Sequence, residues 1–195
     1  MTMGIEIGEG RIIISRGLSD LDHFVLDVVK LIEKYTRYVI VSGYVTILLG
    51  RSRGTEDVDF VIEPINRGKF ERLCGEALVG GFEFLNPEDC GGLYEMLQEK
   101  MGIRMARKSE IIPNAEIKFP KDTFHEEALK KRIPAVLNDD EIYISPIELQ
   151  IAYKLYLGSD KDVEDAFFLY ELFRENLDRR LLDGYAKRLK VEVPF

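Results

Sequence analysis

The stretch that most limits how this chain can fold is Asp57-Val58-Asp59-Phe60-Val61-Ile62, closed by Glu63-Pro64. β-Branched and aromatic residues in such a run predict a strand. Side chains alternate across a strand, so Asp57 and Asp59 share one face while Val58 and Phe60 take the other. Two carboxylates on one face of an apolar strand lose solvation and repel each other. The arrangement requires either a compensating cation or a chemical role.

The surrounding pattern is mixed. Ile5–Ile7 and Arg11–Ser15 read as a hairpin around Gly8-Glu9-Gly10. Ser19 or Asp20 caps an amphipathic helix through about Tyr35. Tyr38–Ser42 is a compact apolar strand running into Gly43, and Tyr44–Leu49 reads as a short helix. Beyond the acidic strand, helices are predicted over Phe70–Leu78 and Tyr94–Lys100, and strands over Phe82–Leu85, Ile103–Ala106, Ala115–Phe119, Ile133–Leu137 and Glu141–Ile144. Pro113 and Asn114 mark a turn. From Ser145 the pattern is helical nearly to the end, with Ser145-Pro146-Ile147-Glu148 reading as a capping box. The expected fold class is α+β: a small mixed sheet flanked by helices over residues 1–144, and a helical subdomain over 145–195.

The chain has 195 residues and a 46% hydrophobic fraction, enough for one domain with a helical appendage. No apolar run reaches the roughly 18 residues needed to cross a bilayer, and Met1–Arg11 has no basic-then-apolar leader pattern. Cys74 and Cys90 lack a CxxC or Cys/His cluster, which predicts reduced cysteines and a cytoplasmic protein. His23 and His125 have no zinc-ligand spacing. The net charge of -8 argues against a surface that binds nucleic acid as a whole. A 32% charged fraction without Trp hints at a thermophile.

Two carboxylates on one face suit a hard divalent cation. Magnesium takes one or two carboxylates and fills its other positions with water and substrate phosphates. Gly43, at the mouth of a helix, lets backbone approach an anion, and Arg51 and Arg53 carry charge for phosphate oxygens.

The run Ser42-Gly43 … Gly50 … Arg53 … Thr55-Glu56-Asp57-Val58-Asp59 resembles the signature of the nucleotidyltransferase superfamily related to polymerase β, most of all the minimal nucleotidyltransferases and AbiEii-type toxins. The resemblance covers roughly Val39 to Leu172, with Ser42 where the family often has its first glycine. It implies a nucleotidyltransferase fold that moves a nucleoside monophosphate from an NTP to an acceptor, using two magnesium ions held by Asp57, Asp59 and a third acid. Glu116, in Ala115-Glu116-Ile117-Lys118-Phe119, is the candidate third ligand, since alternation puts it on one face with Lys118. Asp122 follows Pro120 and fits less well. Ser42, Gly43, Arg53 and Thr55 would line the nucleotide site. A helical lysine and a downstream aspartate of the family map to Lys154 and to Asp162 or Asp165.

Each position also has a plain reading. Arg51 and Arg53 could pair with Glu56 or another surface acid, Lys154 with solvent, and Asp162 and Asp165 with the first turn of a helix. Phe167, Phe168, Tyr170 and Phe173 read as helix packing, and Lys130-Lys131-Arg132 as a solvated helix end. Two functional alternatives remain open. One is a non-catalytic nucleotide- or partner-binding module on the same fold. The other is a toxin paired with an antitoxin, whose acceptor is tRNA or protein. A homodimer is compatible with the aromatic helical end.

Overall fold

Hydrophobic periodicity places most elements of the computed structural model, which describes residues 4–8 and 10–195. β1 (Gly4–Gly8) and β2 (Arg11–Ser15) form the antiparallel hairpin. Glu9 of the expected Gly8-Glu9-Gly10 connection, and Met1–Met3 of the leader reading, lie outside the described residues. α1 (Asp20–Ile32), β3 (Tyr38–Val41), α2 (Gly43–Leu48) and β4 (Asp57–Ile62) follow, then α3 (Arg67–Val79), β5 (Phe82–Phe84), α4 (Cys90–Gln98), β6 (Ile103–Arg107) and β7 (Asn114–Lys118). α5 (Thr123–Lys130) is foreshadowed only by the reading of Lys130-Lys131-Arg132 as a helix end, with no range of its own among the predicted elements. β8 (Ile133–Leu137) and β9 (Asp140–Ile144) lead into α6 (Ile147–Leu157), α7 (Asp160–Phe173) and α8 (Arg179–Leu189).

The strands form one mixed sheet in the order β1-β2-β8-β9-β3-β4-β7-β6-β5, nine strands among the described residues and thus larger than the small sheet expected. β2–β8, β3–β9 and β4–β7 are parallel, and the other pairs antiparallel. β3 and β9 meet at the single pair Ile40↔Ile144. Val58, Phe60, Val61 and Ile62 of β4 are fully buried, so apolar burial anchors the strand beyond its two acids. No helix among the described residues is long and apolar enough to cross a membrane.

Three local expectations are corrected. Ser145 does not cap α6: it is buried, its Oγ donates to Gln150 Oε1 at 2.8 Å, and Glu148 accepts from the Asp178 amide at 2.9 Å. β9 delivers Ser145 into the interior, where its hydroxyl meets the Gln150 amide group rather than a helix N–H. A reciprocal capping box forms instead between Ser19 and Asp22 at the start of α1. Cys74 and Cys90 are joined by a disulfide, not reduced. α3 packs on α4 and brings their Cα atoms to 5.9 Å, an ordinary disulfide span. Asp165 lies beyond the first turn of α7 and is fully buried.

Asp22 is also fully buried. It accepts from Arg16 Nη2 at 2.8 Å, Tyr44 Oη at 2.7 Å and the Ser19 amide at 2.7 Å. Burial opposes its charge, but bonds from Arg16, Ser19 and Tyr44 outweigh that and hold its pKa down to about 2. The folded value lies below the unfolded one, so this stabilisation is present above about pH 4 and lost as the pH falls toward 2. Urea unfolding is expected to show that the stability lost between pH 5 and pH 2 is smaller in Asp22→Asn than in the parent, by about 2 kcal/mol.

Candidate active site

β3 and β4 run antiparallel with Val41 opposite Asp59, so the chain leaving β3 turns beside the acidic pair. β4 and β7 run parallel with Asp59 opposite Glu116. Asp59 is therefore flanked by the Ser42-Gly43 turn on one side and by Glu116 on the other. Thr55 Oγ donates to the Asp57 carbonyl at 2.9 Å and to Asp57 Oδ1 at 3.3 Å, orienting the first acid. Lys118 Nζ donates to Asp59 Oδ1 at 2.7 Å and to Glu116 Oε1 at 3.1 Å. Burial works against the Lys118 charge, yet Asp59 and Glu116 raise its pKa above the usual lysine value. Asp122 is spent as the cap of α5, accepting from the Phe124 and His125 amides at 2.9 Å.

The turn itself is strained and clamped. Ser42 has φ 64° and ψ -135°, a conformation that favours glycine. The side-chain amide of Gln150 holds it there: Nε2 donates to the Ser42 carbonyl at 2.7 Å, and Oε1 accepts from the Ser42 amide at 3.3 Å. Ser42 makes no side-chain bond to the helix it precedes. Ser42→Gly is accordingly expected to raise unfolding free energy by about 1 kcal/mol, read by denaturant titration.

Gly43 opens α2, and its missing side chain makes room for arginine. A Cβ at this position would lie 2.8 Å from Arg53 Nη2. Arg53 in turn is tied to Asp165, as is Arg51. Lys154 Nζ reaches Asp165 Oδ2 at 2.6 Å and Asp162 Oδ1 at 2.8 Å, and Thr46 Oγ donates to Asp165 at 3.2 Å. Lys154 is 2% exposed, against the default of a solvated helix lysine. Burial lowers the pKa of Lys154, and burial together with Arg51 lowers that of Arg53. Among the described residues Arg53 has no carboxylate other than Asp165, which two further cations share. Its guanidinium packs against Gly43 at the start of α2 and belongs to a network in which Asp162, Glu164 and Asp165 face Arg51, Arg53 and Lys154.

An apolar cleft lined by Val41, Phe124, His125, Leu149 and Tyr153 lies against Ser42. His125 and Tyr153 rings sit 6.1 Å apart, and the pKa of His125 is lowered by burial. Among the described residues no three or more His, Cys, Asp or Glu side chains form a metal-binding group. Asp57 and Asp59 still fit magnesium, which needs only one or two carboxylates when phosphates complete its shell. Glu116 is held next to Asp59 but through Lys118.

The residues singled out from sequence thus fall into two adjoining groups. Asp57, Asp59 and Glu116 share one face of the sheet on the neighbouring strands β4 and β7. Ser42, Gly43, Arg53 and Lys154 gather around the turn, which reaches Asp59 through the β3–β4 register. Lys118 and Gln150 are the additions. Lys118 was visible as the same-face neighbour of Glu116, while Gln150 showed only as an amide between Leu149 and Ile151.

No family model matches the sequence, and no curated protein does. Solved structures do. A nucleotidyltransferase-like antigenic protein from Paracoccidioides brasiliensis aligns over 86% of this chain and 88% of its own, with 20% identity and a TM-score of 0.51. The antibiotic-resistance factor ANT(2'')-Ia aligns over 88% and 93%, with 13% identity and a TM-score of 0.52. JHP933 from Helicobacter pylori aligns over 85% and 72%, with 21% identity and a TM-score of 0.50. The chain has the nucleotidyltransferase fold.

Proposed function

We propose that this protein is a magnesium-dependent nucleotidyltransferase. The observation that carries the reading is the placement of two same-face carboxylates, Asp57 and Asp59, beside a glycine turn against which Arg53 packs. Asp57 and Asp59 would hold the metal, which when bound neutralises phosphate charge and orients the triphosphate. The Ser42-Gly43 backbone would receive phosphate oxygens at the start of α2, and Arg53 would pair with them. The acceptor hydroxyl attacks the α-phosphorus, the bond to the bridging oxygen breaks, and pyrophosphate leaves. Glu116 helps to position that hydroxyl and to receive its proton. The cleft beside His125 and Tyr153 offers an apolar surface for the base or the acceptor.

Most of the rate enhancement in such chemistry comes from positioning and charge stabilisation, which a site built on strands supplies. Labelled ATP, CTP, GTP and UTP, each mixed with small-molecule, RNA and protein fractions, would test the reading. Label transfer with pyrophosphate release is expected from at least one combination. Absence of both transfer and nucleotide binding would refute it.

A further inference from the structure

Two facing acids on neighbouring strands repel each other and can gather a divalent cation. Here that place between Asp59 and Glu116 is bridged by the ammonium of Lys118, at 2.7 and 3.1 Å. The bridge is built rather than incidental. The Lys118 side chain is 11% exposed and rises from a central strand, with its backbone opposite Val61. Glu116 has two further neighbours: Arg104 Nη2, on an exposed side chain, lies 3.8 Å from its second oxygen, and Gly102 leaves the space it fills. A Cβ on Gly102 would stand 2.6 Å from Glu116 Oε1. Asp57, by contrast, meets no cationic side chain in an ion pair among the described residues, and it keeps the face it shares with Asp59 open to a metal ion.

We infer that Lys118 serves as a resident cation in place of one of the two metal ions, so that this site works with a single divalent ion held by Asp57 and Asp59. The inference rests on the nucleotidyltransferase reading and deepens it. A fixed ammonium already offsets the like-charge repulsion of Asp59 and Glu116, and it opposes entry of a second divalent cation at that position. Lys118 would thereby be a positioning residue, acting through the two carboxylates it joins.

The count of bound ions decides the matter. Manganese can be titrated into the full chain with a non-hydrolysable NTP analogue, following free Mn2+ by electron paramagnetic resonance. One Mn2+ per protein–nucleotide complex is expected for the parent and for Lys118→Arg. Lys118→Met keeps the aliphatic volume without the charge and is expected to bind a second Mn2+ at least tenfold more tightly than the parent does; Lys118→Gln provides a second neutral variant should the first misfold. Two ions in the parent complex would overturn the inference while leaving the nucleotidyltransferase reading intact. A count that stays at one in a folded neutral variant would do the same. No nucleotide complex at all would remove both.

Discussion

Asp57→Asn and Asp59→Asn are each expected to lower nucleotidyl transfer by about a thousand-fold or more, equivalent to roughly 4 kcal/mol of transition-state stabilisation. The two variants should differ in stability. Asp57 has no ion pair among the described residues, and its contact from Thr55 survives conversion to an amide. Its thermal midpoint should stay within a degree or two of the parent. Asp59→Asn removes one arm of the Lys118 bridge and should melt slightly lower. Transfer assays beside thermal melts check both expectations. An Asp57→Asn protein that folds normally and keeps most of its rate would rule out the assigned role.

Asp165→Leu should instead act on folding. The parent carboxylate is fully buried and meets Arg51, Arg53, Lys154 and Thr46. Removing it leaves three cations near the interior with Asp162 and the exposed Glu164 as their remaining acids. Breaking a buried ion network from one side costs about 3–5 kcal/mol. In a chain of this size that corresponds to a fall of about 10 °C in the melting midpoint. Urea titration measures the loss directly, and a change below about 1 kcal/mol would show that solvent or rearrangement replaces the carboxylate.

The elements easiest to read from sequence are those whose signals are local. α1 carries apolar residues at helical spacing behind Ser19, and β4 alternates over Asp57–Phe60 before its all-apolar end. The Ser42–Asp59 run fixes its own spacing, so the turn, the arginines and the acids could be named without a fold. What stayed hidden depends on partners remote in sequence. Lys154 looks like a surface lysine until Asp165 is packed against it. Ser145 has every local mark of a helix cap, but β9 carries it inward to Gln150. The cysteines are brought together only when α3 lies on α4, a contact that no spacing rule encodes. α5 spans only eight residues, so its apolar positions Phe124, Ala128 and Leu129 have little more than two turns in which to show a helical period.

The loop between α2 and β4 depends on side chains synthesised much later. Arg51 and Arg53 are anchored by a residue 114 and 112 positions downstream. On the ribosome, the strand bearing Asp57 and Asp59 emerges long before its arginine anchor is translated. The setting of both arginines beside α2 must therefore be completed late in biosynthesis, when α7 docks, and a nascent chain halted before that helix would carry the two arginines without the buried acid that holds them.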